Sequence, residues 1–168
     1  MSSLNLTSLE YMTRESLASS IQNSPSETLP DKTAVIDVRD SDHVGGHIKG
    51  STWVPSSQLD YKTPELIRTL KDKEVVVFHC ALSQQRGPSA ALRYLREKER
   101  LEGGEAEEAA GGDGGDEGEG KEQNTNKANK KEQKVYVLKG GFTEWQEKYG
   151  EDKKLTEGYQ KDIWEFGY

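Results

Sequence analysis

One apolar run, followed by a loop and a helix, constrains the fold of this chain more than any other stretch. The run Val75-Val76-Val77-Phe78 suits a buried strand, and the seven residues from Cys80 to Arg86 that come after it are mostly small or polar. Residues 89–97 then carry apolar side chains at helical spacing. Pro88 suits the first turn of that helix, where its missing N–H is not needed. The stretch therefore predicts a strand, a loop and a helix, with the only cysteine of the chain at the end of the strand.

The loop has the residue types of an oxyanion-binding site. A loop that closes onto a helix N-terminus points several backbone N–H groups at one spot and adds the positive end of the helix dipole. Arg86 can bind two oxygens of an anion held there. The same field favours the thiolate of Cys80, which becomes a nucleophile directed at the centre of the anion. A buried inert cysteine and a surface arginine are the alternative, but the combination of strand end, loop, arginine and helix favours a functional site.

Strands and helices alternate along the rest of the chain. The predicted strands are residues 34–39, 52–55, 75–79 and 134–138, with a short one at Tyr11-Met12. Helices are predicted to begin after Thr13, after Pro88 and after Gly140-Gly141. A further helix is predicted with Thr63 as its N-cap and Pro64 as its first residue. This alternation is typical of a parallel sheet covered by helices on both faces, with the ligand site at the carboxyl edge. Asp37 and Arg39 would lie near that edge, where such residues more often fix a loop than catalyse.

Residues 101–134 form a polar, low-complexity segment. They hold eight of the 17 glycines, and their ten acidic and five basic residues supply a charge of −5 out of the chain's −7. Too few apolar residues are present to form a core, so we predict a disordered insertion between a helix and the next strand. A neutral expansion is the simpler interpretation, and a regulatory role is the alternative. We also predict a flexible N-terminal segment over residues 1–10. We expect the aromatic tail from Glu151 to pack against the domain, and a surface for a partner is the alternative.

Composition and motifs limit the class of protein. The charge outside the insertion is near −2, so no broad basic surface for nucleic acid is expected. No run approaches the roughly 18 apolar residues of a membrane span, and the first residues lack the pattern of a secretory signal. A single cysteine cannot form an internal disulfide or a cysteine-rich zinc site. We therefore expect a cytoplasmic protein, or one shared between cytoplasm and nucleus.

The loop, the residues beside it and two further motifs resemble one superfamily. Cys-x5-Arg is the signature of cysteine-dependent phosphatases and of a group of arsenate reductases. With His79 in front and Gly87-Pro88 behind, the loop most closely resembles that of the cell-division-cycle dual-specificity phosphatases and their small arsenate reductase relatives, which are members of the rhodanese superfamily. Asp37-Val38-Arg39 with residues 46–51, and the Gly-Gly-Phe-x-x-Trp run at residues 140–145, resemble two other rhodanese motifs.

The resemblance implies the fold and the site. The fold would be α/β, a rhodanese-like three-layer arrangement in which a central, mostly parallel sheet of about five strands is flanked by helices on both faces. One domain would cover residues 11–168, interrupted by residues 101–134. Cys80 and Arg86 would be the catalytic residues, and His79, Asp37 and Arg39 would support them. The oxyanion-binding loop would be Ala81, Leu82, Ser83, Gln84, Gln85 and Arg86.

Several functions remain compatible with this loop. Attack of Cys80 on phosphorus gives a protein tyrosine or dual-specificity phosphatase. Attack on arsenic gives an arsenate reductase, with glutathione as reductant because no second cysteine is present. The cell-cycle phosphatases carry Glu where this chain has Ala81 and Gln85, so the residue that would act as general acid is not assigned. Ser83 either tunes the thiolate or orders the loop. Sulfur transfer is disfavoured because sulfurtransferases typically have a loop one residue shorter.

A non-catalytic binding module is disfavoured as well, since Cys80 and Arg86 are both present. We expect a phosphoprotein or a small oxyanion as substrate, with no metal and no resident cofactor. We also expect a monomer with no nucleic-acid or membrane partner.

Overall fold

Five parallel strands form the central sheet of the molecule. The computed structural model describes residues 4–111, with residues 104–111 as backbone alone, and residues 132–166. The strands are β1 (Glu10–Met12), β2 (Thr33–Asp37), β3 (His47–Ile48), β4 (Thr52–Trp53), β5 (Val75–His79), β6 (Lys134–Leu138) and β7 (Thr156–Glu157). The sheet has the order β1-β6-β5-β2-β4, and each neighbouring pair is parallel. The predicted parallel five-stranded sheet is therefore confirmed.

Helices cover both faces of the sheet. They are α1 (Arg14–Gln22), α2 (Leu59–Thr69), α3 (Arg86–Gly111), α4 (Gly141–Tyr149) and α5 (Lys161–Phe166). Successive side chains of a strand point to opposite faces, so Val76 and Phe78 of β5 pack with α2 and α3. Val77 packs with α1 and α4 on the other face. The two apolar cores make the three-layer arrangement that the sequence predicted.

The register of β2 and β5 brings two loops together at the carboxyl edge of the sheet. Asp37 lies opposite His79 at the last paired position. Just beyond it, the N–H of Val38 donates to the carbonyl of His79 at 2.8 Å. The loop that follows β2 and the loop that begins with Cys80 therefore leave the sheet side by side, as the topology of a parallel sheet requires.

The N-terminal residues that the structure describes contact the rest of the domain. Asn5 caps a short 3-10 helix at Leu6–Ser8, and Leu9 is buried. Leu4 packs against the core on the α3 side, where its carbonyl accepts a hydrogen bond from Arg96 at 3.0 Å. Composition alone does not reveal this apolar cover, and flexibility of residues 1–10 stays a prediction. Residues 1–3 lie outside the described part of the chain.

Helix α2 begins earlier than predicted. It starts at Leu59, directly after a 3-10 turn at Ser56–Gln58, so Thr63 is not its N-cap and Pro64 is not its first residue. Thr63 lies inside the helix, and its hydroxyl donates to the carbonyl of Leu59 at 2.6 Å. The 3-10 turn nucleates the helix ahead of these two residues, because Asp40 accepts hydrogen bonds from Ser56 and Ser57 at its start.

The polar segment after α3 is partly helical. Helix α3 continues from Leu101 to Gly111, where glutamate and alanine favour helix, so the first residues of the predicted insertion are helical in the structure. Disorder over residues 101–134 stays a prediction. At the other end Lys134 belongs to β6, and Glu132 and Gln133 are placed as well. The rest of the predicted insertion, residues 112–131, lies outside the described residues.

The tail packs against the domain, as predicted. Leu155 is buried, and β7 pairs with β3 in an antiparallel arrangement. Trp145 of α4 donates to Thr156 at 2.9 Å, and Trp164 donates to the carbonyl of Gly45 at 2.9 Å. The tail therefore covers one end of α4 and the loop after β2. In the part of the chain that the structure describes, no helix has the length and apolar character needed to cross a membrane.

Gly141 permits α4 to dock against the loop after β5, and its replacement tests that contact. A Cβ there would lie 2.4 Å from the carbonyl oxygen of Ala81, and the residue has a φ of +60°. We expect Gly141→Ala to lower the free energy of unfolding by about 2 kcal/mol or more, measured by urea denaturation. Gly103→Ala is the matched control in α3, with no atom of the described residues within 4 Å, and should stabilise by about 0.5–1 kcal/mol. Unchanged stability of Gly141→Ala would contradict the tight contact.

Candidate active site

The loop from Cys80 to Arg86 wraps around the cysteine sulfur. The backbone N–H groups of Ser83 and Gly87 donate to Sγ of Cys80 at 3.2 and 3.4 Å. Ser83 has a φ of +56°, which turns the chain back toward the sulfur, and its buried hydroxyl accepts from the N–H of Cys80 at 3.4 Å. Two N–H donors of the loop therefore point at the sulfur. Of the two roles considered for Ser83, the geometry favours ordering the loop, because its hydroxyl binds the backbone rather than the sulfur.

The loop surrounds a pocket that a small oxyanion can enter. The pocket has a volume of about 310 Å³ and is lined by Cys80, Ala81, Leu82, Gln84, Gln85 and Arg86. Leu82, Gln84 and Gln85 are exposed at its rim. Helix α3 starts at Arg86, so the N–H groups of its first turn have no acceptor within the helix. The predicted loop residues thus come together around one space at a helix N-terminus, with Ser83 behind the others.

Arg86 binds two carboxylates that sequence reasoning missed. Its Nη1 and Nη2 donate to the two oxygens of Asp42 at 2.8 and 2.5 Å, and Nη1 also lies 3.3 Å from Asp40. The hydrogen bond from Arg86 lowers the pKa of Asp42 to about 2, and the two carboxylates raise the pKa of Arg86. A signal was available, since Asp40 and Asp42 follow β2 and adjacent strands end at the same edge.

Asp37 and Arg39 form a fully buried ion pair. Nη2 of Arg39 lies 2.6 Å from Oδ2 of Asp37, and both side chains are 0% exposed. Burial alone would raise the pKa of Asp37, but His79 and Arg39 outweigh burial and lower it. Arg39 also donates to the carbonyl of Gly46 at 2.9 Å and lies 4.4 Å from the ring centre of Phe142. These contacts fix the loop after β2 to the sheet and to α4.

His79 is buried directly beneath the loop. Its Nδ1 lies 3.1 Å from the carbonyl oxygen of Cys80, which can only accept, so Nδ1 carries the proton. Nε2 has no hydrogen-bond partner among the described residues and lies 3.9 Å from Asp37. Burial lowers the pKa of His79, and the charge of Asp37 opposes that effect. The neutral imidazole therefore supports the backbone at Cys80 and does not reach the pocket.

A second histidine joins the buried pair from the loop after β2. His43 lies 3.4 Å from Oδ2 of Asp37 and stacks on Trp53 with 4.3 Å between ring centres. Trp53 in turn donates to the carbonyl of Arg39 at 2.6 Å. Burial lowers the pKa of His43, so it is neutral at neutral pH. Its position was not predicted, because nothing in the local sequence pairs His43 with Asp37.

The N-terminus of α4 holds the back of the loop. The N–H of Phe142 donates to the carbonyl of Cys80 at 3.0 Å, and the N–H of Thr143 donates to the carbonyl of Ala81 at 2.9 Å. Both carbonyls consequently point away from the pocket. This leaves the pocket side of the loop to N–H groups and to the thiol, which is the polarity that an anion requires.

The assembled site can perform nucleophilic attack on an oxyanion. Cys80 places a thiol in the pocket that can act as a nucleophile, loop N–H groups can bind oxygen, and Arg86 supplies a guanidinium. Ala81 and Gln85 provide no carboxyl group, and the nearest carboxylates with a described contact to the loop side chains are Asp40 and Asp42 on Arg86. Within the described residues, no cluster of three His, Cys, Asp or Glu side chains could hold a metal ion.

The known proteins that this chain resembles agree with one another in family. Residues 19–148 match the rhodanese-like domain family. The CDC25-like phosphatase YCH1 of Saccharomyces cerevisiae is 33% identical over 175 residues, covering 98% of this chain and 99% of the yeast protein.

Two solved structures resemble the fold. One is described as Ygr203w, a yeast protein tyrosine phosphatase of the rhodanese family; it is 33% identical, covers 93% of this chain and 96% of that chain, and has a TM-score of 0.67. The other is the As-Sb reductase from Leishmania major, which is 28% identical, covers 86% of this chain and 81% of that chain, and has a TM-score of 0.62.

The buried ion pair should be indispensable for stability. Asp37→Asn leaves the buried guanidinium of Arg39 without its counter-charge, and we expect a loss of about 3–5 kcal/mol in the free energy of unfolding. Asp60→Asn is the control, because Asp60 forms its ion pair with Arg93 on the surface and should change stability by less than about 1 kcal/mol. Urea denaturation measures both variants. Equal small effects would contradict a structural role for the buried pair.

His79 should make the fold sensitive to mild acid. Its pKa is lowered in the folded protein, so the unfolded chain binds a proton first and stability falls as the pH drops below about 6.5. The slope contributed by His79 is at most about 1.4 kcal/mol per pH unit. His79→Asn, which keeps a side-chain N–H donor for Cys80, should reduce the slope between pH 6.5 and 5, with a remainder from His43. Denaturation at several pH values tests this, and equal slopes would contradict it.

Proposed function

The chain belongs to the rhodanese-like domain family, and on that basis we propose that it is a cysteine-dependent phosphatase of the CDC25-like type. The observation that carries the proposal is the sulfur of Cys80, which is held by two backbone N–H groups in a pocket bordered by Arg86. Sulfur, loop backbone and guanidinium border one pocket of about 310 Å³, which is large enough to admit an oxyanion. The similarity to the yeast phosphatase over nearly the full length of both chains supports the same function.

The geometry supports a two-step reaction. The thiolate of Cys80 attacks phosphorus, an S–P bond forms, and the P–O bond to the leaving group breaks with the electron pair remaining on that oxygen. Loop N–H groups and Arg86 stabilise the charge on the equatorial oxygens. Water then attacks phosphorus, releases inorganic phosphate and restores the thiolate. The leaving oxygen must gain a proton, and the loop itself provides no acid for it, because Ala81 and Gln85 are not ionisable.

Arsenate reduction is the second candidate, and the similarity to the Leishmania As-Sb reductase favours it. Cys80 would attack arsenic and displace one arsenate oxygen as water. A glutathione thiolate would then attack the sulfur of Cys80, so that a mixed disulfide forms and arsenic leaves as arsenite with two additional electrons. Glutathione is required because the chain has a single cysteine. A second external thiol would reduce the mixed disulfide and regenerate Cys80.

Two other functions fit less well. Sulfur transfer is disfavoured by the seven residues from Cys80 to Arg86, one more than sulfurtransferases typically have. A pure binding module is disfavoured because it would not need a nucleophile and an arginine at the same pocket. Our proposal further includes a phosphorylated protein or a small oxyanion as substrate, and action as a monomer in cytoplasm and nucleus, since a free thiol nucleophile suits a reducing compartment.

Activity assays of three purified proteins test the proposal. Wild type, Cys80→Ser and Arg86→Lys are compared on an aryl phosphate, on arsenate with glutathione and glutaredoxin, and on thiosulfate with cyanide. We expect Cys80→Ser to lower phosphate release by about 10³-fold or more, because the nucleophile is lost. Arg86→Lys should lower it by about 10²-fold, because lysine cannot form the bidentate contact. Asp60→Asn on the surface is the control and should match wild type.

The three assays separate the candidates. Cys80-dependent phosphate release supports the phosphatase function, and Cys80-dependent arsenite production supports the reductase function beside it or in its place. Thiocyanate as the only product would mean that loop length does not decide the chemistry. Full activity of Cys80→Ser would contradict catalysis by this cysteine.

A further inference from the structure

Arg86 binds a carboxylate in the bidentate geometry in which it would bind an oxyanion. Nη1 and Nη2 each donate to one oxygen of Asp42, at 2.8 and 2.5 Å, in a bidentate contact. Carboxylate, phosphate and arsenate all present two oxygens with the spacing that this fork matches. We propose that Asp42 competes with the substrate oxyanion for Arg86 and thereby sets the affinity of the site. This inference rests on the proposed function, in which Arg86 binds the equatorial oxygens.

The contacts of Arg86 leave little room for a second anion on the same edge. Among the described residues, Nη1 contacts Asp40 and Asp42, and Nη2 contacts Asp42. An oxyanion that binds this terminal edge must therefore replace the carboxylate. Two carboxylates on one guanidinium leave a net charge of −1 beside the pocket. This charge repels a third anion as long as both carboxylates remain on Arg86. Binding of the oxyanion is therefore favoured when one carboxylate moves away.

Asp42 is the carboxylate that can leave. Asp40 is anchored independently of Arg86, since it accepts from the hydroxyl of Ser56 at 2.5 Å and from the N–H of Ser57 at 3.0 Å. Its own contact with Arg86 is long, at 3.3 Å. Asp42 accepts from the N–H of Asp40 at 2.9 Å, and its side chain is 26% exposed. Water can therefore solvate the Asp42 carboxylate once Arg86 turns to the substrate.

The carboxylate of Asp42 thus takes the position on Arg86 that the substrate oxyanion would take. The exchange costs the substrate part of its binding energy, because the Asp42 pair must be broken first. In return, weakly held anions of the cell do not occupy Arg86. Removal of the Asp42 charge should convert that cost into tighter binding without any new contact to the ligand.

Calorimetric titration with inorganic arsenate tests the competition directly. All proteins carry Cys80→Ser, so that binding is measured without turnover. We expect Asp42→Asn to lower the Kd for arsenate about tenfold, which corresponds to about 1.4 kcal/mol. Asp42→Glu retains the charge and should stay within about threefold of the parent. Asp60→Asn removes the same charge from a surface ion pair with Arg93 and should leave the Kd unchanged.

A second background separates competition from simple repulsion. In Arg86→Ala the residue for which the two anions compete is absent, so Asp42→Asn should no longer tighten binding. An equal gain with and without Arg86 would mean that Asp42 only repels the ligand, and would overturn the proposal. Unchanged or weaker binding by Asp42→Asn, or no measurable arsenate binding by any variant, would overturn it as well.

Steady-state kinetics with intact Cys80 connects the inference to function while keeping the two distinguishable. With an aryl phosphate, Asp42→Asn should lower KM by a factor similar to that for Kd. If wild type shows no Cys80-dependent turnover but Asp42→Asn still tightens arsenate binding through Arg86, the proposed function fails and the competition stands. If turnover depends on Cys80 but the Kd does not fall, the competition is wrong and the function stands.

Discussion

The buried ion pair between Asp37 and Arg39 is the interaction on which the site depends. Two opposite charges with no exposed surface are stable only when the surrounding contacts are complete, and here those contacts come from other elements. Arg39 reaches the carbonyl of Gly46 and the ring of Phe142, while the backbone N–H of Phe142 holds the carbonyl of Cys80. The pair therefore connects the loop after β2 to α4, and α4 to the loop around Cys80. The geometry of that loop thus depends on two charged side chains that do not line the pocket.

Local patterns were sufficient for the architecture and for the centre of the site. The apolar run of β5, the loop after it and the Gly140-Gly141 turn each carry a strong signal, because strand burial, loop length and positive φ leave few alternative structures. The same patterns placed Cys80 and Arg86 together at the end of a strand and the start of a helix. Asp37 and Arg39 were expected to fix a loop, and their burial agrees with that interpretation.

The features that were not predicted depend on contacts between distant residues. The partners of Arg86 come from a different loop, and only the register of β2 with β5 brings Asp42 within reach. Leu4 and Leu9 lie in a terminus that is mostly polar, and the structure packs both against the core on the α3 side. Thr63 has the residue type of an N-cap, but the 3-10 turn at Ser56–Gln58, held by Asp40, starts the helix earlier. At Thr63 the tertiary contacts outweighed a correct local preference.

The length of α3 carries the chain far from the pocket before the described residues end at Gly111. The helix begins at Arg86 and is 26 residues long, so its far end at Gly111 lies roughly 39 Å from the pocket. The chain re-enters the described structure just before Lys134, at the amino end of β6 and thus at the sheet edge opposite the loop around Cys80. Both points at which residues 112–131 join the described structure are therefore remote from the pocket. A tag or label introduced between them would be attached to the domain at a distance from Cys80 and Arg86.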